Sequence, residues 1–339
     1  MNLGWRAAGI SCFLSLILSA CAPGIVAPGP ATTAPHLSVS MFVAADGAEL
    51  PLRTWQPEDR EPKAVILALH GFNDYANFFD DPGDFLARRG IASYAYDQRG
   101  FGAAPAPGRC AGTPAYAGDA ADAARAVKRR HPGIPLYIHG TSMGGAIAML
   151  ALTGDNPPPV DGVILAAPAV WGRATMPWYQ RLSLWIGAHT LPWLTVTGQG
   201  LGIVPSDNYE MLVRLGRDPK IIKETRIGTI YGLVNLMDAA LESAAKLTTP
   251  ALILYGEKDE IIPKVPTRMM LERLPETARS HQRIALYQAG YHMLLRDLQA
   301  SAVWKDMARW VIDPKAPLPS KADRRDLAIL GLKKEAETK

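Results

Sequence analysis

Short, continuous apolar runs punctuate this chain at residues 64–69, 91–96, 136–139, 163–167, 251–255 and 284–287. Runs of four to six residues without polar alternation are what strands buried on both faces of a parallel sheet look like. Between them the apolar positions recur at helical spacing. Residues 78–89 predict a helix stopped by Gly90, and 118–130 an alanine-rich helix stopped by His131-Pro132-Gly133. Residues 145–152 predict a buried helix and 302–311 a closing amphipathic one. Residues 37–44 and 49–55 flank Asp46-Gly47, a hairpin signal. The pattern predicts an α/β fold: a mostly parallel sheet flanked by helices, with an antiparallel hairpin at its start.

One connection breaks the rhythm. About eighty residues separate Ala167 from Pro250, far more than an ordinary loop needs. They must carry structure of their own, so residues 169–249 are expected to form an inserted helical cap between core segments 37–168 and 250–312. Four of the eight tryptophans, Trp171, Trp178, Trp185 and Trp193, crowd its first part. Trp178, Leu182 and Trp185 share a face at helical spacing, after a Pro177 suited to a helix start. Such residues can make the cap's own small core. Trp171, Trp178 and Trp185 can equally wall a substrate pocket, or rest on lipid. Residues 313–339 read as a polar, basic tail with one short apolar patch at 327–332.

The first twenty-one residues are a separate object. Arg6 gives a positive start, and residues 10–20 are apolar but too few to span a bilayer. The run ends Leu18-Ser19-Ala20-Cys21, which resembles the lipobox of bacterial lipoproteins, where the cysteine is acylated. The alternative is an ordinary secretory signal containing a cysteine. Ala22 after the cysteine favours, by that resemblance, the outer membrane. The expected location is therefore the bacterial cell envelope, lipid-anchored and facing the periplasm. Residues 22–36, with Pro23, Pro28, Pro30 and Pro35, read as an extended tether that lifts the body off the membrane.

Composition narrows the class without choosing a function. The chain has 339 residues, 48% hydrophobic and 20% charged, with a net charge of +4. The scattered basic residues make no nucleic-acid surface. Of three cysteines, Cys110 alone lies in the body after the leader, where it reads as structural.

The candidate chemistry begins at Gly140-Thr141-Ser142-Met143-Gly144, between a strand run and a helix pattern. A serine on a sharp strand-to-helix turn projects its hydroxyl away from the backbone, and the glycines remove side chains that would clash. Alone, the motif also suits a glycine-rich turn at a helix start. A hydroxyl becomes a useful nucleophile when a base accepts its proton and a carboxylate orients the base. In an open sheet of this kind, acid and then base follow the serine on loops after late strands. Run 251–255 leads into Gly256-Glu257-Lys258-Asp259-Glu260, and run 284–287 into Gly290-Tyr291-His292. Asp259 is the candidate acid, its short side chain suiting a loop that turns back to the base, and Glu257 and Glu260 are its rivals. Of the seven histidines, His292 combines a glycine-led loop after the last strand with a helix beyond it, and is the candidate base. The oxyanion of an acyl-transfer intermediate needs two N–H donors. Met143 supplies one candidate and Phe72, in the loop His70-Gly71-Phe72-Asn73, the other. His70 is expected to brace that loop.

These residues carry a resemblance. The chain is similar to α/β-hydrolases of the monoacylglycerol lipase and lysophospholipase-like group, which overlaps the serine aminopeptidases. The carriers are His70-Gly71-Phe72, Asp97-Gln98-Arg99-Gly100-Phe101-Gly102, Gly140-Thr141-Ser142-Met143-Gly144-Gly145, Gly256-Glu257-Lys258-Asp259 and Gly290-Tyr291-His292. Phe101 and Ala103 stand where the group commonly has histidine and serine. That segment is scaffold, and Asp97 with Arg99 is expected to be a structural pair. The resemblance implies a serine hydrolase of lipid-like carboxylic esters, working through an acyl-enzyme without metal or organic cofactor. A serine aminopeptidase or a thioesterase would use the same machinery. A non-catalytic binding module on this fold is the alternative from another class.

Overall fold

The computed structural model describes residues 23–332, except 59, 199 and 201. The expected leader 1–21, with Cys21, lies outside the described residues. Along the chain run β1 (His36–Leu37), β2 (Met41–Val43), β3 (Glu49–Trp55), β4 (Ala64–Leu69), α1 (Asp80–Ala87), β5 (Ile91–Tyr96) and α2 (Thr113–Arg130). Then come β6 (Leu136–Thr141), α3 (Met143–Thr153), β7 (Gly162–Ala166), α4 (Trp178–Thr190), β8 (Thr195–Val196), α5 (Tyr209–Arg217), β9 (Thr225–Arg226) and α6 (Ile227–Ser243). The chain closes with β10 (Ala251–Gly256), α7 (Lys264–Arg273), β11 (Gln282–Tyr287) and α8 (Ala300–Ile312).

Nine strands form one sheet in the order β1-β2-β3-β5-β4-β6-β7-β10-β11. The pairings β1-β2, β2-β3 and β3-β5 are antiparallel, and those from β5 to β11 are parallel. All six residues of β4, of β5 and of β10 are buried, which is why their sequences are continuous apolar runs. Alternate side chains enter opposite layers. Val65, Leu67 and Leu69 join a core with α2, α3 and α6, whereas Ile66 and Ala68 face Phe85 and Leu86 of α1 and Met307 and Trp310 of α8. From β4 the chain turns to β5 on one side and then to β6 on the other. Such a reversal opens a crevice beyond the carboxyl ends of the strands.

Four expectations need correction. Residues 37–44 are not one strand, because the Ser38 hydroxyl accepts the Met41 amide at 3.1 Å and closes a turn between β1 and β2. The tether does not stand free: Val26 N donates to Cys110 O (2.9 Å), and Thr32 and Thr33 donate to Ala45 O (2.7 and 3.0 Å). Residues 23–35 are therefore a strap laid along the body. The described part of the tail is also docked, with Ala316, Leu318, Ala322 and Leu330 buried and Arg325 paired with Glu257 at 2.6 Å. Finally, the segment between β7 and β10 is not wholly a cap. Val234, Leu236, Met237, Ala240 and Leu241 of α6 belong to the main core. Among the described residues no helix is long and apolar enough to cross a membrane.

Candidate active site

Ser142 stands between β6 and α3 with φ +53° and ψ −117°, a conformation costly for a residue with a side chain. The sequence allows it through its glycines. A Cβ on Gly140 would lie 2.3 Å from Gly144 O, and one on Gly144 only 2.1 Å from Leu69 O. The turn is fastened from both sides. Ser142 N donates to Ala166 O (2.9 Å), and Ser142 O accepts from Gly145 and Ala169 (both 2.9 Å).

Asp259 and His292 meet. The imidazole Nδ1 lies 2.9 Å from Asp259 Oδ2, and both residues are buried. A carboxylate can only accept, so Nδ1 carries the proton of this bond and Nε2 is left as an acceptor. The other oxygen, Oδ1, accepts the amides of Ile261 (2.8 Å) and Ile262 (2.9 Å). One carboxylate thus shapes its own loop and orients the imidazole. Its rivals are engaged elsewhere: Glu257 pairs with Arg325, and Glu260 accepts the Val204 amide at 2.8 Å.

The loop after β4 passes against the serine. A Cβ on Gly71 would sit 3.4 Å from Ser142 Cβ, ordinary contact distance. Phe72 follows in this loop, its ring packed edge-on against Phe101. Met143 heads α3, where the helix dipole is positive. His70 braces the loop. Its Nε2 accepts the Gln98 amide (2.9 Å), its Nδ1 donates to Gly71 O (2.8 Å), and complete burial holds its pKa below the ordinary value. Asp97 and Arg99 do not pair with each other. Asp97 accepts the amides of Ala76 and Ala103, and Arg99 bridges Asp46 and Asp119. Both are scaffold with partners the spacing did not show.

The three candidate pocket tryptophans lie in different surroundings. Trp171 is half-buried against the main core. Trp178 and Trp185 are exposed, at 73% and 54%. Burial pushes the Cys110 thiol up, against reactivity. Two polar residues escaped the sequence reading. Asp297, 4% exposed, accepts Ser206 Oγ at 2.6 Å and Tyr291 N at 2.8 Å. An acid in the apolar stretch after His292 was a signal for the first. None existed for Ser206, ninety-one residues away along the chain.

A mostly parallel sheet between two helical layers, with a strained serine turn beyond its middle strands and an acid–imidazole pair on later loops, is an α/β-hydrolase. The sequence profile of the family described as serine aminopeptidase, S33, matches residues 60–299, and the chain belongs to that family. Among its relatives, the monoacylglycerol lipase of Mycolicibacterium smegmatis is 23% identical over 295 residues, covering 80% of this chain and 95% of the relative. The monoglyceride lipase of Rattus norvegicus is 25% identical over 286 residues, covering 82% and 91%. A soluble variant of the Saccharomyces cerevisiae monoglyceride lipase, crystallised with a substrate analog, shares the fold with a TM-score of 0.64. It is 24% identical, covering 85% of this chain and 98% of that one.

Proposed function

We propose that the chain is a serine carboxylester hydrolase that cleaves lipid-like acyl esters, of the monoacylglycerol or lysophospholipid type, through an acyl-enzyme. The observation that carries this reading is the Asp259–His292 hydrogen bond at the sheet edge that also presents the strained Ser142. In the reaction, His292 Nε2 takes the Ser142 proton as Oγ attacks the acyl carbonyl. The N–H groups of Phe72 and Met143 receive the oxyanion. The imidazolium, stabilised by Asp259, gives its proton to the departing alcohol. Water then gives a proton to His292 and its oxygen to the acyl carbon. The acid leaves and Ser142 regains its proton.

The names of the relatives support a lipid ester, and the family's own description keeps an N-terminal amide in view. A panel of monoacylglycerols, lysophospholipids, thioesters and aminoacyl amides decides between them. Ser142→Ala should lower kcat on a short-chain acyl ester by about a millionfold, the scale seen for such nucleophiles. Wild-type turnover in that variant would remove the proposal. Fluorophosphonate labelling at Ser142, lost on changing His292, separates the enzyme from a binding module.

The cap supports a lipid-facing mouth. Trp178, Tyr179, Leu182, Trp185, Ile186 and Trp193 are each 47–73% exposed, an apolar surface that water alone does not favour. The proposed anchor is the acylated Cys21, holding the enzyme on the outer membrane, facing the periplasm. Ile25, four residues after the proposed anchor in the sequence, bridges to Cys110. Cys21→Ala should release the enzyme from the membrane fraction and abolish palmitate incorporation.

A further inference from the structure

We propose that residues 204–208, where the inserted segment approaches α5, form a clamp that positions His292, with Ser206 and Asp297 as its central pair. The proposal rests on Ser142, Asp259 and His292 being the catalytic set. Its contacts fall on the immediate neighbours of the acid and the base. Val204 N donates to Glu260, the residue after Asp259, at 2.8 Å. Pro205 O accepts from Met293 N, the residue after His292, at 3.0 Å. Ser206 Oγ donates to Asp297 Oδ1 at 2.6 Å, and the second oxygen of Asp297 accepts Tyr291 N, the residue before His292, at 2.8 Å. The base is therefore bracketed on both sides by backbone amides whose acceptors belong to, or are held by, this segment.

The bracket continues along the same loop. Asp207 Oδ1 accepts Leu298 N (2.8 Å), and Asn208 Nδ2 donates to Arg296 O (2.9 Å). Ser206 is 2% and Asp297 4% exposed, so the carboxylate depends on protein donors. Without the Ser206 hydroxyl, Asp297 loses a donor that its burial leaves it unable to replace from bulk water. A buried carboxylate so deprived shifts toward water or another partner, and Tyr291 N moves with it. Neither residue touches the reacting atoms. Both act through the loop that aims the imidazole.

The test uses the full chain and a short-chain acyl ester. Ser206→Ala should lower kcat by about tenfold to a hundredfold, the scale of a misplacement of ~1 Å, with KM changed less than about twofold. Ser206→Thr, which keeps a hydroxyl, should recover most of the rate. A merely structural serine would move the melting temperature and leave kcat per folded molecule alone. If Ser206→Ala does not fold, Ser206→Cys, of similar volume and weaker donation, is read the same way. Wild-type kcat in the folded variant overturns the clamp while the hydrolase reading stands. A wild-type chain that neither hydrolyses the ester nor labels with a fluorophosphonate overturns both.

Discussion

The helices α4 and α6 come from one inserted segment and are both rich in apolar residues, yet they lie in opposite environments. Nine residues of α6 are buried, whereas in α4 only Ala188 is. The difference lies in residue size. Helix α6 places Gly228, Gly232 and Ala240 where neighbours come close, and a Cβ on Gly232 would stand 2.4 Å from Cys110 Sγ. Small residues let the helix settle against Pro192 and Cys110 while its larger side chains enter the core. On α4 the small Gly187 lies against Ile227 at the start of α6, Ala188 is buried and Leu184 reaches the core, while Trp178, Tyr179, Leu182, Trp185 and Ile186 stay exposed. Hydrophobic composition alone does not decide burial; the face that can approach a neighbour does.

The largest effect that could break this comparison is on stability. Leu236→Ala, on the buried face of α6, should cost about 2–5 kcal/mol, seen as a lowered midpoint in denaturant. Leu182→Ala on the exposed face of α4 should stay within about 0.5 kcal/mol. Equal losses at the two sites would mean that α4 is packed against something in solution.

The next effect sharpens what the exposed helix is for. Replacing Trp178 and Trp185 with serine should weaken partitioning of the chain onto lipid vesicles. Burial of a large apolar side chain is worth on the order of 1.5–3 kcal/mol, so each change should cost about tenfold or more in a sedimentation assay. Partitioning that ignores both substitutions would leave the apolar face of α4 without a lipid role.

Legibility in the sequence follows the same division. The parallel strands were readable because burial on both faces leaves no room for polar residues, as in Ala64–Leu69 and Ala251–Gly256. The serine turn was readable because its glycines are demanded by contacts of about 2 Å that no side chain could relieve. Asp259 and His292 were readable from their place after late strands. What escaped depends on distant partners. The helix Lys264–Arg273 buries a modest stripe, Pro266, Thr267, Met270 and Leu271, that falls short of a strong pattern. The partners of Arg99, Asp46 and Asp119, lie 53 and 20 residues away from it. The docking of the strap depends on single amides meeting carbonyls far along the chain, which no composition records.

The smallest effect asks whether the strap belongs with rigid α6 or with exposed α4. Ile25 meets Cys110, which itself packs on Gly232 of α6, so the strap should behave as part of the body. Asp46 is its second fastening, accepting Gly29 N at 3.2 Å while bound by both terminal nitrogens of Arg99. The Arg99 hydrogen bonds, helped by the amides of Ala48 and Gly29, lower the Asp46 pKa from 3.8 to about 2. A depressed carboxylate stabilises the fold above its unfolded value and ceases to do so as pH falls through the folded one. The fastening should therefore be complete above pH 3.8 and lost below about 2. Asp46→Asn should speed amide exchange at Gly29, Thr32 and Thr33 by about fivefold near neutrality, the worth of one hydrogen bond of about 1 kcal/mol. The gap between variant and wild type should close at the acid end of that window. Exchange at these amides that is already as fast as in an unfolded chain, in the wild type at neutral pH, would mean that the strap is loose and that an anchor at its end leaves the body free to turn.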